Sequence, residues 1–503
     1  MTNKKFKLAA MSLATAVAVS TVGPSASAVT YQLENGDVTV DQDKNLGAFS
    51  YQGTDNVDNR TYVNSDPYDE DGTIHIQGGN AQTTEEVPST TDNSNNSTEA
   101  PTPTDNATQS TDASGNNTEN SSTSETTTGN TITVKEDVKD ATIVVEGVNV
   151  DTSTQTEVPA DTKEDKTIIK VGEGADVDLT VMDSNLTTGG NGIDIGVDLD
   201  GKDENDENKE TNVDLTLDNT KINLTEKDNT AGIVARDNST VDITLKGENT
   251  IDGKEALEDA AKEAEEAKKE GTSSPNRNVE GIRVGGESAG DDSSGEGASL
   301  TIKGDETSDQ GSLNIDHTST GMVISNDSDV TLTDNADVDI KHTEAGSSTQ
   351  GGRGIVQRGD LTVEDKSSLT IDTVGSGAYK IDNDQEGLVY GNNGYGIDST
   401  ADITVTGDST LEIKGTEGSA IYGGNSSSLT VKDSTLDIDS KIRGIDYQND
   451  AGNITFDNSE VDISGNGMGI SVAPEGGTNI TFDTGKSGIM QEIFLREMNG
   501  IRS

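Results

Sequence analysis

The chain's 503 residues carry 93 acidic side chains against 35 basic ones, for a net charge of -58. Such a surface repels nucleic-acid phosphates and anionic lipid. Hydrophobic residues are 29%, aromatics 3%, and tryptophan is absent, which is too lean for several ordinary globular cores and points to a thin, elongated one. No cysteine is present, so disulfides, thiolate metal sites, cysteine nucleophiles and lipid-modified cysteines are excluded.

In chain order, Lys4, Lys5 and Lys7 precede an apolar run over residues 8–22, and Ala26-Ser27-Ala28 follows as a small-residue cleavage site. This predicts a signal peptide over residues 1–28. No later segment is apolar enough to span a bilayer, so the mature chain is expected to be secreted or displayed at a cell surface. Residues 29–80 contain strand-like pieces at 37–40 and 73–76, which read as a short N-terminal β segment. Residues 81–130 are nearly all Thr, Ser, Asn, Glu, Asp and small residues. They cannot bury enough apolar area to offset ordering entropy, and they read as a disordered linker.

From residue 131 to 485 one device recurs. After an earlier triplet at Ile132-Thr133-Val134, an apolar–Thr–apolar triplet marks ten successive units, with Thr180, Thr216, Thr244, Thr301, Thr331, Thr362, Thr404, Thr430, Thr455 and Thr481 at their centres. The shortest steps between them are 25 or 26 residues, and the longer ones are that unit plus insertions. A second strand follows, as at Leu411-Glu412-Ile413, Leu436-Asp437-Ile438 and Val461-Asp462-Ile463. A turn aspartate such as Asp183, Asp218, Asp334, Asp365 or Asp433 often precedes it. A third strand opens on Gly or Ala before an apolar residue, as at Gly354-Ile355, Gly396-Ile397, Ala420-Ile421 and Gly444-Ile445.

In each strand the apolar pair shares a face. Three such faces separated by turns close a coil, and one coil buries its edge only against the next. The predicted fold class is therefore all-β: a right-handed parallel β-helix of three-strand coils, with the central threonines in one outward column. Residues 254–270, rich in Ala, Glu and Lys, predict a solvent-exposed helical insertion supported by Glu258–Lys262 and Glu265–Lys269 pairs. Residues 486–503 read as a tail or cap.

These repeats resemble those of pectin-lyase-like parallel β-helix proteins, and more closely the repetitive exported surface proteins of Gram-positive bacteria, of adhesin or carbohydrate-binding type. The resemblance covers about residues 132–485 and rests on repeat texture. The chain departs from that pattern in showing no Leu-Pro-x-Thr-Gly sorting motif. The resemblance implies adhesion or carbohydrate binding without catalysis. A polysaccharide lyase or hydrolase of the same fold is the alternative, in which Arg353, Arg358 or Arg443 would supply the base. An inert surface spacer is a third reading.

Candidate sites follow from side-chain chemistry. Tyr379, Tyr390, Tyr395, Tyr422 and Tyr447 cluster in the later coils against a general scarcity of rings, and suggest a platform for an extracellular glycan or a host or cell-surface ligand, bound by a monomer. Asp339, Glu412, Asp437 and Asp462 hold equivalent outward positions, and Asp437 beside Asp462 invites a bridging calcium. Asp382, Asp384 and Glu386 match the first half of a calcium loop, although its twelfth position is Asn393. His75, His317 and His342 are scattered in sequence, which argues against a histidine-rich metal centre.

Overall fold

The triplets hydrogen-bond to one another in parallel. Thr430 stands over Thr404 on one side and under Thr455 on the other, with the flanking apolar residues equally aligned. The computed structural model describes residues 127–483 apart from segments at 155–165, 200–208, 271–277, 287–296, 306–310, 344–351, 373, 375–393, 425–426, 449–451, 466–467 and 473–478. It also describes 30–33, 37–43, 48–53 and 73–78. Among the described residues, three sheets of 13, 10 and 13 strands form a right-handed parallel β-helix. One coil comprises Leu429–Lys432 in the first sheet, Thr435–Ser440 in the second and Arg443–Tyr447 in the third.

The core is the stack of inward residues. Leu429, Val431, Leu436, Ile438 and Ile445 of this coil are at most 1% exposed. At the corner between the first two sheets the backbone turns through the left-handed region at Asp183, Asn219, Asp334, Asp365, Asp408, Asp433 and Asn458. Asp and Asn tolerate that conformation better than other residues with a Cβ, which explains why they recur there. Beside this corner a serine ladder joins coil to coil: Ser367 N–H donates to Ser409 Oγ, and Ser409 N–H donates to Ser434 Oγ, each at 3.2 Å.

Three sequence expectations change. The threonines form two columns, not one. Thr180, Thr216 and Thr244 align, but Lys303 then stands opposite Thr244, and Thr301 stands opposite Asp242. Strand Ser239–Lys246 has three inward apolar residues, Val241, Ile243 and Leu245, and Leu300 and Ile302 pair with the first two. A two-residue slip keeps every side chain on its face, so burial does not forbid it.

The N-terminal β segment belongs to the β-helix. Thr73–Gln77 pairs in parallel with residues 142–146, and Val38–Val40 pairs with residues 132–134. Residues 48–53 then add an antiparallel strand to residues 38–43 at the end of the third sheet.

The helix spans Lys254–Glu270, as the composition predicts, but it is not a free protrusion. Ala256, Leu257 and Ala260 are buried, and the helix packs on strand Lys221–Leu224 of the second sheet. Lys262 pairs at 2.7 Å with Asp259, rather than with Glu258.

Candidate functional site

The outward face of the third sheet gathers the chemically distinctive side chains of the later coils. Along it runs the register column Val356, Asp398, Tyr422, Asp446 and Ser471. A second outward column holds Arg353 opposite Tyr395, and Ser419 opposite Arg443. Tyr395 and Tyr422 belong to adjacent strands and different columns, so they meet diagonally. Their rings stack with centroids 4.8 Å apart and planes 19° from parallel. Offset contact of this kind adds to simple area burial.

Alternation breaks at the residues that open each third strand, and this places Tyr395 outside. Gly396 directs its missing side chain at Ile413 Cγ2, 2.6 Å from an added Cβ, and the following Ile397 is also wholly buried. Two successive residues therefore face the core, and Tyr395, two before Ile397, points the other way.

Ion pairs flank the rings. Arg353 Nε lies 3.1 Å from Asp398 Oδ2, and Arg358 donates to the Asp398 carbonyl at 2.9 Å. Arg443 pairs with Asp446, which also accepts from Gln448 Nε2 at 3.2 Å. Asp398 and Asp446 are 8% and 3% exposed, so their charges are held close to low-dielectric surroundings by these partners. Burial first, then Tyr422 and Asp398, raises the Tyr395 hydroxyl pKa; burial first, then Asp446 and Asp398, does the same at Tyr422. Both hydroxyls therefore keep their protons at neutral pH and can donate as well as accept. The arrangement offers a ring pair with two neutral hydroxyls, bordered by guanidinium and carboxylate groups on a stiff sheet. Arg353, Arg358 and Arg443, the three candidate bases, each sit in an ion pair here.

The other predicted residues are placed differently. Tyr447 turns inward and is 0% exposed, in the column Gln357, Ser399, Gly423, Tyr447 and Val472. A Cβ on Gly423 would lie 2.3 Å from Tyr447 Cε1, so that glycine makes the space the ring fills. Burial raises the Tyr447 hydroxyl pKa, and the ring is a core element rather than part of an outer platform. The alternation Ile445-Asp446-Tyr447 carries that signal in the sequence. Tyr379, Tyr390, Asp382, Asp384 and Glu386 lie outside the described residues.

On the second sheet, Asp339, Glu412, Asp437 and Asp462 do share one outward column, with Thr370 between the first two. Lys414 reaches across it, pairing with Glu412 and lying 3.4 Å from Asp437 Oδ2. Lys341 pairs with Asp339 of its own strand at 2.6 Å. These ammonium groups set positive charge beside Asp339, Glu412 and Asp437. Composition hid this because each lysine lies two residues from its carboxylate, on the same outward face.

Two of the three histidines, scattered in sequence, meet in space. His317 and His342 stack with centroids 5.2 Å apart, beside Asp316. Their 25-residue separation equals one coil, and that was the signal available in the sequence.

Fold and surface together define the class: a parallel β-solenoid with polar and aromatic side chains arrayed on its outer sheets. Comparison with known protein families, with curated proteins and with solved structures finds no match in any of the three.

Proposed function

We propose that this chain is an exported, non-catalytic surface solenoid that binds an extracellular glycan through the outer face of its third sheet. The stacked pair Tyr395–Tyr422 carries the proposal. An amphipathic ring pair on a rigid sheet offers apolar surface to the C–H face of a sugar at low entropic cost, and its hydroxyls stay available to sugar hydroxyls. Arg353, Asp398, Arg443 and Asp446 add hydrogen-bonding groups around it. The arginines' engagement in ion pairs favours binding over the lyase alternative, which needs a free base. The signal peptide expected over residues 1–28 accounts for export. Individually weak contacts then add when many copies are displayed on one surface.

The test is a glycan array probed with the mature chain, residues 29–503, with and without calcium. Binding to a defined glycan set is expected, with loss in the double variant Tyr395→Ala/Tyr422→Ala and retention in Tyr447→Phe. Absence of binding in both conditions, or binding unaffected by the double variant, overturns the reading.

A further inference from the structure

His317 and His342 directly follow the second-sheet strands of successive coils in matching sequences, Ile315-Asp316-His317-Thr318 and Ile340-Lys341-His342-Thr343. The register places Asp252 opposite Asp316 and Asp316 opposite Lys341 on the outward face of that sheet. Both histidines follow directly, and both adopt the left-handed backbone conformation with φ of 49°. Identical corners one coil apart project their imidazoles alike, which is why the rings stack 17° from parallel.

The nitrogens converge on carboxylates. His342 Nδ1 lies 2.7 Å from Asp316 Oδ1, and His317 Nδ1 lies 3.3 Å from the same oxygen. His317 Nδ1 also lies 3.2 Å from Asp252 Oδ1. One ligand atom each from Asp316, His317 and His342 falls within a 4.8 Å span. Ligand atoms around a tetrahedral zinc ion, at about 2.0–2.2 Å from the metal, stand roughly 3.3–3.5 Å from each other. The observed separations, from 2.7 Å up to the 4.8 Å span, bracket that value, and side-chain rotation would bring the three atoms onto one ion. The site is open to solvent, with the His317 and His342 side chains 30% and 51% exposed. Lys341, the nearest cation in the column, has its ammonium drawn to Asp339 at 2.6 Å.

We propose that Asp316, His317 and His342, with Asp252 beside them, bind a first-row transition-metal dication of the zinc type. Two imidazole nitrogens and a carboxylate select such an ion over calcium, which prefers oxygen ligands alone. The metal would clamp three consecutive coils, those holding Asp252, Asp316 and His342, at the corner leading from the second sheet to the third.

The experiment titrates the mature chain with zinc chloride by calorimetry in excess calcium, so that the acidic surface is already occupied. Cobalt(II) replaces zinc in a parallel visible-absorption titration. A single equivalent is expected, with ligand-field bands of imidazole-bound cobalt. The double variant His317→Asn/His342→Asn keeps a side chain tolerant of the left-handed corner. It should lose both signals while its circular dichroism stays that of the parent. Each single variant should weaken binding by about tenfold or more, and His75→Asn should leave it unchanged. Zinc affinity and cobalt bands that persist in the double variant, or titrations with no discrete equivalent, overturn the assignment. If the double variant misfolds, imidazole resonances of the parent decide: zinc must shift those of His317 and His342, and leave those of His75 in place.

Discussion

Ile371 Cγ2 stands 2.5 Å from the point that a Cβ on Gly354 would occupy. The same relation joins Ile251 to Gly232, Ile315 to Gly281, Ile340 to Gly321 and Ile463 to Gly444, at 2.3–2.5 Å. In these five coils the glycine near the start of the third strand is therefore the slot into which the second strand's last isoleucine packs. Gly354→Ala should destabilise the fold by about 1–3 kcal/mol, since interiors do not absorb an extra methyl without strain. Gly424→Ala is the control, because an added Cβ there meets nothing within 4 Å. Urea denaturation of both variants checks this; equal midpoints would show that the slot has room to relax.

Asp178, Asp214 and Asp242 stand opposite one another in three successive strands of the first sheet. Burial first, then Asp242 and Asp178, raises the Asp214 pKa above its ordinary value. The folded state thus holds that proton more tightly than the unfolded chain, whose pKa is about 3.9. The associated stability is present below the unfolded pKa and is lost as pH rises through the raised folded pKa. Asp214→Asn cannot ionise and should stabilise the protein at pH 7 by about 0.2–1 kcal/mol, the scale of a cross-strand charge pair. The gain should shrink at pH 4. Denaturation at the two pH values measures it, and a net loss at pH 7 would contradict the electrostatic account.

Lys414 lies between two carboxylates of adjacent strands, Glu412 and Asp437. Lys414→Ala leaves those charges facing each other and should cost about 0.2–1 kcal/mol, more at low ionic strength. Calcium should then raise the melting temperature of the variant more than that of the parent. Thermal melts in a salt and calcium series test both statements, and identical calcium responses would show that the lysine does not stand in for a cation.

Tyr447 is 0% exposed, whereas Tyr422 on the neighbouring strand is half-buried on the outer face. Tyr447→Ala should cost about 3–5 kcal/mol, as for other buried rings. Tyr422→Ala should leave the melting midpoint nearly unchanged and reduce glycan binding. Paired melting and binding measurements distinguish the two; similar stability losses would place both rings in the core.

The sequence by itself determined the coil. Alternating pairs such as Leu436 and Ile438, turn residues such as Asp433 and the shortest spacing of 25 residues specify strands, corners and period locally. It also determined that the helix at 254–270 forms, because its composition favours that state over any strand. Tertiary structure alone decided which residue of one coil lies over which residue of the next. A two-residue slip between Thr244 and Thr301 preserves every inward face, so the sequence pattern is silent about it. The same inter-coil alignment brings His317 to His342 and Tyr395 to Tyr422, and lets Gly423 admit Tyr447. Hydrophobic alternation states which way a side chain points, whereas neighbours along the rod follow from packing between coils whose connecting insertions differ in length.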